Sequence, residues 1–217
     1  MDEKTIIDGL IYYIGLIVLL TLHEFGHAWT AWRCGDDTAK LQGRVSLNPL
    51  VHIDPVGTVV LPLIMIFVAP SVPGLGRFLV GWAKPVPVNP YNLGHPRRDD
   101  ILVTMAGPGM NLVLAVVLVG LAKVGLLVHS LDTAYLFHDW AALSLMLCFF
   151  NLIPIPPLDG SHVMRNVTNM SYETYNQLSR FGFIAVIIVL QIPFVQNALG
   201  SATFGTRDLL ERWFGVI

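Results

Sequence analysis

Residues Ile6 to His27 read IIDGLIYYIGLIVLLTLHEFGH, an apolar run from Ile6 to Leu22 that ends in His23, Glu24, Phe25, Gly26 and His27. About 20 predominantly apolar residues suffice to cross a bilayer as a helix, so this stretch predicts a membrane span carrying ionisable groups near its exit end. A helix places His23 and His27 one turn apart on one face, where both imidazoles can reach a single metal ion, with Glu24 beside them to handle a proton. The alternative is a pair of buried imidazoles hydrogen-bonded within a helix bundle, with Glu24 merely orienting a ligand.

Two histidines leave a catalytic metal one protein ligand short, because open sites take three nitrogen or oxygen ligands and keep the fourth position for water. The third must come from elsewhere in the chain. Asn151 to Gly160 reads NLIPIPPLDG and puts Asp159 at the end of a second apolar run broken by three prolines. A carboxylate there is costly unless it pairs or binds a metal. Asp159 could instead cap the segment that begins at Gly160. His162 and Asp54 compete with it as third ligands, His162 the more strongly by spacing.

The two stretches together resemble the site-2 protease family of intramembrane zinc metalloproteases. That family pairs H-E-x-x-H with a distant N-x-x-P-x-x-x-L-D-G, and both motifs are complete here as His23, Glu24 and His27, then Asn151, Pro154, Leu158, Asp159 and Gly160. Gly43 to Pro49, His52 to Pro55, Gly81 to Pro90 and Ala106 to Pro108 also look like its short bacterial members, which have no PDZ or CBS domain. The likeness covers Ile6 to Val163. It implies a zinc ion held by His23, His27 and Asp159, with Glu24 activating the zinc-bound water. It also implies substrates that are membrane-tethered proteins, cut in or beside their transmembrane segments, and a prokaryotic plasma membrane.

Composition agrees on the class. The chain has 217 residues, of which 54% are hydrophobic and 13% charged, and its mean hydropathy of +0.63 is that of an integral membrane protein. A net charge of -2 without a dense basic patch gives no support for a nucleic-acid partner. Cys34 and Cys148, the only cysteines, offer neither a disulfide framework nor a thiolate metal motif. Met1 to Lys4 is not a basic leader, so the first span is expected to be retained. Residues 1–217 are read as one membrane-embedded domain, an all-α polytopic bundle with a re-entrant or strand-like segment.

In chain order, spans are expected at Thr5 to Trp32, Ile101 to Val128, Tyr135 to Leu152 and Phe181 to Leu199. Val56 to Trp82 is apolar but interrupted, either a re-entrant segment or two short crossings. Trp82 to Pro90 carries prolines that exclude a helix interior and suit an edge strand, on which an unwound substrate could be held extended. Ser161 to Ser179 reads as a polar surface segment and Phe204 to Ile217 as an interfacial helix. Asn111, inside its span, is either an interhelical hydrogen bond or an amide able to contact substrate or a tetrahedral oxyanion. His52 and Asp54 read as loop-fixing, and His95, His129 and His138 as solvated or interfacial. A rival reading of the whole is non-enzymatic: a membrane metal-binding scaffold, or a metal transporter using the same ligands.

Geometry constrains the topology. His23 and Asp159 lie about 20 and 24 residues into their respective spans, so both helices must exit on the same face. Val56 to Trp82 must then contribute no net crossing. With the amino terminus outside, this arrangement puts nine of the thirteen Lys and Arg residues on the cytoplasmic side, as the positive-inside rule favours. The metal would face the cytoplasmic half. Single cysteines replacing Lys40 and Lys84 in a cysteine-free background should therefore react with membrane-impermeant thiol reagents only from the cytoplasm, and one replacing Asp132 only from outside. Labelling of the first two from opposite faces would refute this topology.

Overall fold

The computed structural model describes residues 3–67 and 81–216. Among the described residues, three single helices are long and apolar enough to cross a membrane: α1 (Glu3–Arg33), α4 (Pro96–Leu127) and α5 (Leu131–Asn151). Each matches a span expected from apolar length. Gly35, at φ 104°, turns the chain out of α1 where glycine alone meets no steric cost. Small residues let the long helices approach closely, as they must where lipid supplies no hydrophobic drive between helices. A Cβ on Gly26 of α1 would lie 2.9 Å from the Ala106 carbonyl oxygen of α4. Leu16, Leu19 and Leu20 of α1 meet Ala115, Leu118 and Val119 of α4 and Ala141 and Leu145 of α5 in the principal buried cluster.

Between α1 and α4 the described chain leaves the exit end of α1 and comes back to it. Gly94 N donates to Cys34 O at 3.0 Å, which puts the entrance of α4 beside the exit of α1. Asp36, fully buried, fastens the junction: its carboxylate accepts from Asn89 N (2.7 Å), Thr38 N and Oγ1, and Asn92 Nδ2. Burial pushes the Asp36 carboxyl up, but the Thr38 hydroxyl and the surrounding N–H donors outweigh it and hold the group below its usual value. After the short α2 (Thr38–Leu41) and a 3₁₀ turn at Pro49–Val51, a π-helical turn at Pro55–Val60 runs into α3 (Leu61–Phe67). This piece descends along α1 towards its start, with the Tyr13 hydroxyl donating to Thr58 O at 2.9 Å and Ile66 packed against Gly9. Trp82 N then donates to Gly57 O and Lys84 N to His52 O, so the chain is back where it set out. The described ends of the segment thus lie together at the exit end of α1, the arrangement the ligand geometry calls for. The choice between a re-entrant path and two short crossings lies outside the described residues.

Residues 82–89 form neither helix nor strand, and among the described residues no β-ladder forms. The strand-like expectation is therefore not met among the described residues, although Asn89, which caps the next turn, has extended dihedrals. Proline at Pro85, Pro87 and Pro90 removes the regularly spaced donors a ladder needs.

The carboxy-terminal third departs from expectation in two places. Phe181 to Leu199 is not one straight helix: α8 (Gly182–Leu190) and α9 (Pro193–Phe214) meet at an 82° bend, as a broken span or a re-entrant pair. Pro193 has no N–H for the preceding turn but suits a first helical position, so it starts a helix instead of lying near the end of one. Nor is Phe204 to Ile217 a separate interfacial helix. It forms the second half of α9, which runs antiparallel to α5 from Thr203 beside Met146 to Glu211 beside His138. His138, expected to be solvated, bonds through Nδ1 to Glu211 Oε1 at 2.5 Å and faces Arg207 through Nε2 at 3.1 Å. Glu211 is 1% exposed, and this pairing lets a carboxylate enter the bundle. The segment expected at the surface forms α6 (Gly160–Val167) and α7 (Tyr172–Ser179), with Ser161 and Arg165 buried.

Candidate metal centre

His23 and His27 occupy the exit end of α1, Asp159 the residue before α6, and one face of α4 lies against all three. Positions 103, 107 and 111 of α4 recur at four-residue spacing and so line a single stripe. Val103 contributes its carbonyl oxygen, 2.7 Å from His27 Nδ1. A carbonyl only accepts, so Nδ1 carries the proton and Nε2 keeps its lone pair. Asn111, wholly buried, lies 3.1 Å from His23 Nδ1. Its amide oxygen makes no other hydrogen bond among the described residues. A half-turn of the amide satisfies both groups, with His23 Nδ1–H donating to Oδ1. Of the two sequence readings of Asn111, the structure displays the interhelical hydrogen bond.

Both Nε2 lone pairs therefore point inward. The two nitrogens are 3.0 Å apart, and Asp159 Oδ2 lies 3.2 Å from His23 Nε2 and 3.3 Å from His27 Nε2. Two lone pairs and a carboxylate oxygen at such distances repel unless a positive charge sits among them. Tetrahedral bonds of about 2.0–2.1 Å would separate ligand atoms by about 3.3–3.4 Å, so the donor set fits a zinc ion in size, number and chemistry. Among the described residues this is the one group of three converging ligand atoms.

Gly107 gives the centre its room. A Cβ there would stand 2.2 Å from His27 Nε2 and 2.6 Å from His23 Nε2, inside the space the ligands enclose. Gly160 is equally constrained, because a Cβ would fall 2.2 Å from Leu152 O. That contact folds the proline-broken turn back so that Asp159 faces α1. Although Asp159 stands at the amino-terminal cap of α6, its side chain makes no capping hydrogen bond.

The competing ligands are engaged elsewhere. Asp54 caps the turn after it, accepting from Val56 N and Gly57 N. His162 turns to Asp100, with Nδ1 3.7 Å from Oδ1. His52 Nε2 bonds to Ser46 O at 2.9 Å, the loop-fixing role expected of it.

Glu24 is buried beside the histidines, and among the described residues no hydrogen bond or ion pair engages its carboxylate. Its charge is felt by two buried groups on the loop after α1. Burial pulls both the Arg44 guanidinium and the His52 ring below their usual pKa values, and Glu24 pushes each back up. Arg44 donates to the carbonyls of Lys84 and Pro85, tying the 82–89 segment to the loop after α1. Sequence reading passes over Val103, Gly107, Asp100, Arg165 and Arg44. A backbone carbonyl leaves no mark in a sequence, whereas Asp100 and Arg165 are detectable as charges in or next to apolar runs.

The sequence model of peptidase family M50 matches residues 11–129 and 119–190. A Bacillus subtilis protein named as a zinc metalloprotease, YwhC, is 37% identical over 212 residues, covering 94% of this chain and 90% of its own. Two proteins named as zinc metalloprotease Rip2 are also similar. That of Mycolicibacterium smegmatis is 32% identical (83% of this chain, 70% of its own), and that of Mycobacterium tuberculosis strain Erdman is 41% identical (88% and 69%). No solved structure matches the chain significantly.

The enclosed space gives a direct test. Gly107→Ala should leave the helical circular dichroism intact, alanine being the better helix former, while the purified protein loses stoichiometric zinc by elemental analysis. Wild-type zinc content in that variant would mean that the metal does not lie among these three side chains.

Proposed function

The chain belongs to peptidase family M50, and from that premise we propose that His23, His27 and Asp159 hold its catalytic zinc while Glu24 serves as general base. It is a multi-pass zinc metalloprotease of the membrane. The observation that carries the site assignment is the convergence of two Nε2 atoms and one carboxylate oxygen within 3.3 Å of one another, with each ring's other nitrogen already bonded to α4. Zinc bound there would supply Lewis-acid chemistry, lowering the pKa of a water to about 7.

The chain's own residues do the rest. Glu24, unengaged and adjacent, takes the water's proton and later passes it to the leaving amine. Val103 O and Asn111 fix the tautomer and direction of the two rings, which sharpens their donation to the metal. Peptide carbonyls of a transmembrane substrate are hidden in helical hydrogen bonds, so the substrate must be locally unwound. The 82–89 segment, without helix and held by Arg44 and Asp36, offers a backbone against which it can lie. Substrates are then single-span or membrane-tethered proteins cut in or beside the span, with water reaching the site from the cytoplasmic side of a bacterial plasma membrane.

The metal-transport reading is less favoured. A transport path needs unpaired polar groups at successive depths. Away from the centre the buried ionisable groups already have partners, as His138 with Glu211, Asp100 with Arg165, Asp36 with the donors around it and Arg44 with the carbonyls of Lys84 and Pro85.

Purified protein in detergent, given a panel of single-span substrates, should cleave at least one of them, stop on chelation and recover with zinc. Zinc-loaded protein that cleaves none of them would favour the non-enzymatic reading. Glu24→Gln should keep folding and zinc but lose roughly 100- to 10,000-fold in rate, and full activity would refute the base assignment. Asp159→Ala should lose both zinc and activity, whereas His162→Ala keeps zinc. The reverse outcome would reassign the third ligand.

A further inference from the structure

The third ligand sits on an irregular turn, which by itself would hold a carboxylate loosely. The helix after that turn is anchored. Arg165, in α6 six residues after Asp159, is 4% exposed and extends its Nη2 to Asp100 Oδ2 on α4 at 2.9 Å. Asp100 is likewise 4% exposed. The same carboxylate accepts from Asn166 Nδ2, whose amide also donates to His162 O at 2.9 Å. Tyr172 of α7 covers the Arg165 guanidinium at 3.8 Å from its ring centroid, and Tyr175 approaches at 5.6 Å. Ser161 Oγ ties the first turn of α6 to Leu158 O at 2.6 Å and to the Tyr175 hydroxyl at 2.8 Å.

Asp100 falls three residues before Val103, one helical turn up the same stripe of α4 that fixes both histidines. A single rigid face thus touches the element bearing each proposed ligand: Asn111 for His23, the Val103 carbonyl for His27, and Asp100, through Arg165, for α6 and Asp159. Arginine suits the last of these because its planar fork keeps direction when desolvated and stacks on tyrosine rings.

We propose that Asp100 and Arg165 form a positioning pair that registers α6 against α4 and so sets Asp159 at bonding distance from a metal held by His23 and His27. The pair touches neither metal nor substrate. This inference rests on the reading of Asp159 as a ligand, and its test separates the two.

Zinc affinity is measured by chelator competition, and the visible spectrum recorded after cobalt substitution, for wild type, Asp100→Asn, Arg165→Gln, the double variant Asp100→Leu with Arg165→Met, and Asp159→Ala, with circular dichroism and thermal melts on each. The double variant is the decisive one. It leaves no buried charge unpaired, a change that often keeps or raises stability, so it separates folding from registration. The expected result is a folded double variant whose zinc affinity falls about 10- to 100-fold, the range seen when groups that orient ligands are lost, with an altered cobalt spectrum. Each single variant should fall at least as far. A double variant with wild-type affinity and spectrum would overturn the proposal and leave the pair a structural contact. If that variant unfolds, Arg165→Lys decides instead: it keeps the charge but not the fork, and unchanged zinc affinity in it would overturn the proposal. Asp159→Ala with wild-type zinc affinity would instead refute the ligand assignment on which the proposal stands.

Discussion

Two imidazole nitrogens with their lone pairs turned toward one another, 3.0 Å apart and next to a carboxylate, are the constraint on which this molecule is built. Such an arrangement is repulsive without a cation, and it persists only where the surrounding chain over-determines it. Here one stripe of α4 does so. The Val103 carbonyl and the Asn111 amide hold the outer nitrogens of the two rings, Gly107 keeps the centre open, and Asp100 reaches the helix after Asp159. The close approach of α1 to α4 at Gly26 is a precondition, since a larger side chain would part the rings from the groups that orient them.

The membrane environment explains much of the structure around this centre. Polar groups in lipid must find partners inside the protein, and three separate devices meet that demand. Asp36 gathers four hydrogen bonds where α1 ends. Glu211 enters the bundle only with His138 and Arg207, and Asp100 only with Arg165 and Asn166. The first of these also closes the excursion between α1 and α4 at the exit end of α1, where it began. Side chains from α1 and from the turn between α5 and α6 can meet at one depth for that reason, and the 82–89 segment is fastened through its carbonyls to Arg44.

Much of this was legible in the sequence, for physical reasons that can be named. Apolar length fixes α1, α4 and α5 because a bilayer sets a minimum span. The pairing of His23 and His27 is legible because histidines at four-residue spacing on an apolar helix have few uses other than binding a metal. The demand that His23 and Asp159 reach one depth predicts the returning excursion before any coordinate is known. Illegible features depend on pairings distant in sequence or on backbone atoms. Pro193 within an apolar run gives no sign of starting a new helix at 82° to the last. Glu211 reads as a polar-face residue of a surface helix until His138, 73 positions earlier, is found beside it. The Val103 carbonyl cannot be singled out from sequence at all. Nor does the sequence show that Gly107 matters for the side chain it lacks, since α4 continues through it without a break.

Everything above turns on the identity of the atoms around the metal. Zinc K-edge X-ray absorption on the purified protein reads these without depending on substrate or turnover. The arrangement of His23, His27 and Asp159 predicts a first shell of two imidazole nitrogens and oxygen donors at about 2.0–2.1 Å, with no sulfur. Scattering from a third imidazole would bring His162 or His52 into the site in place of Asp159, and a sulfur shell would implicate Cys34 or Cys148. Either result would contradict the convergence of His23, His27 and Asp159 on one ion.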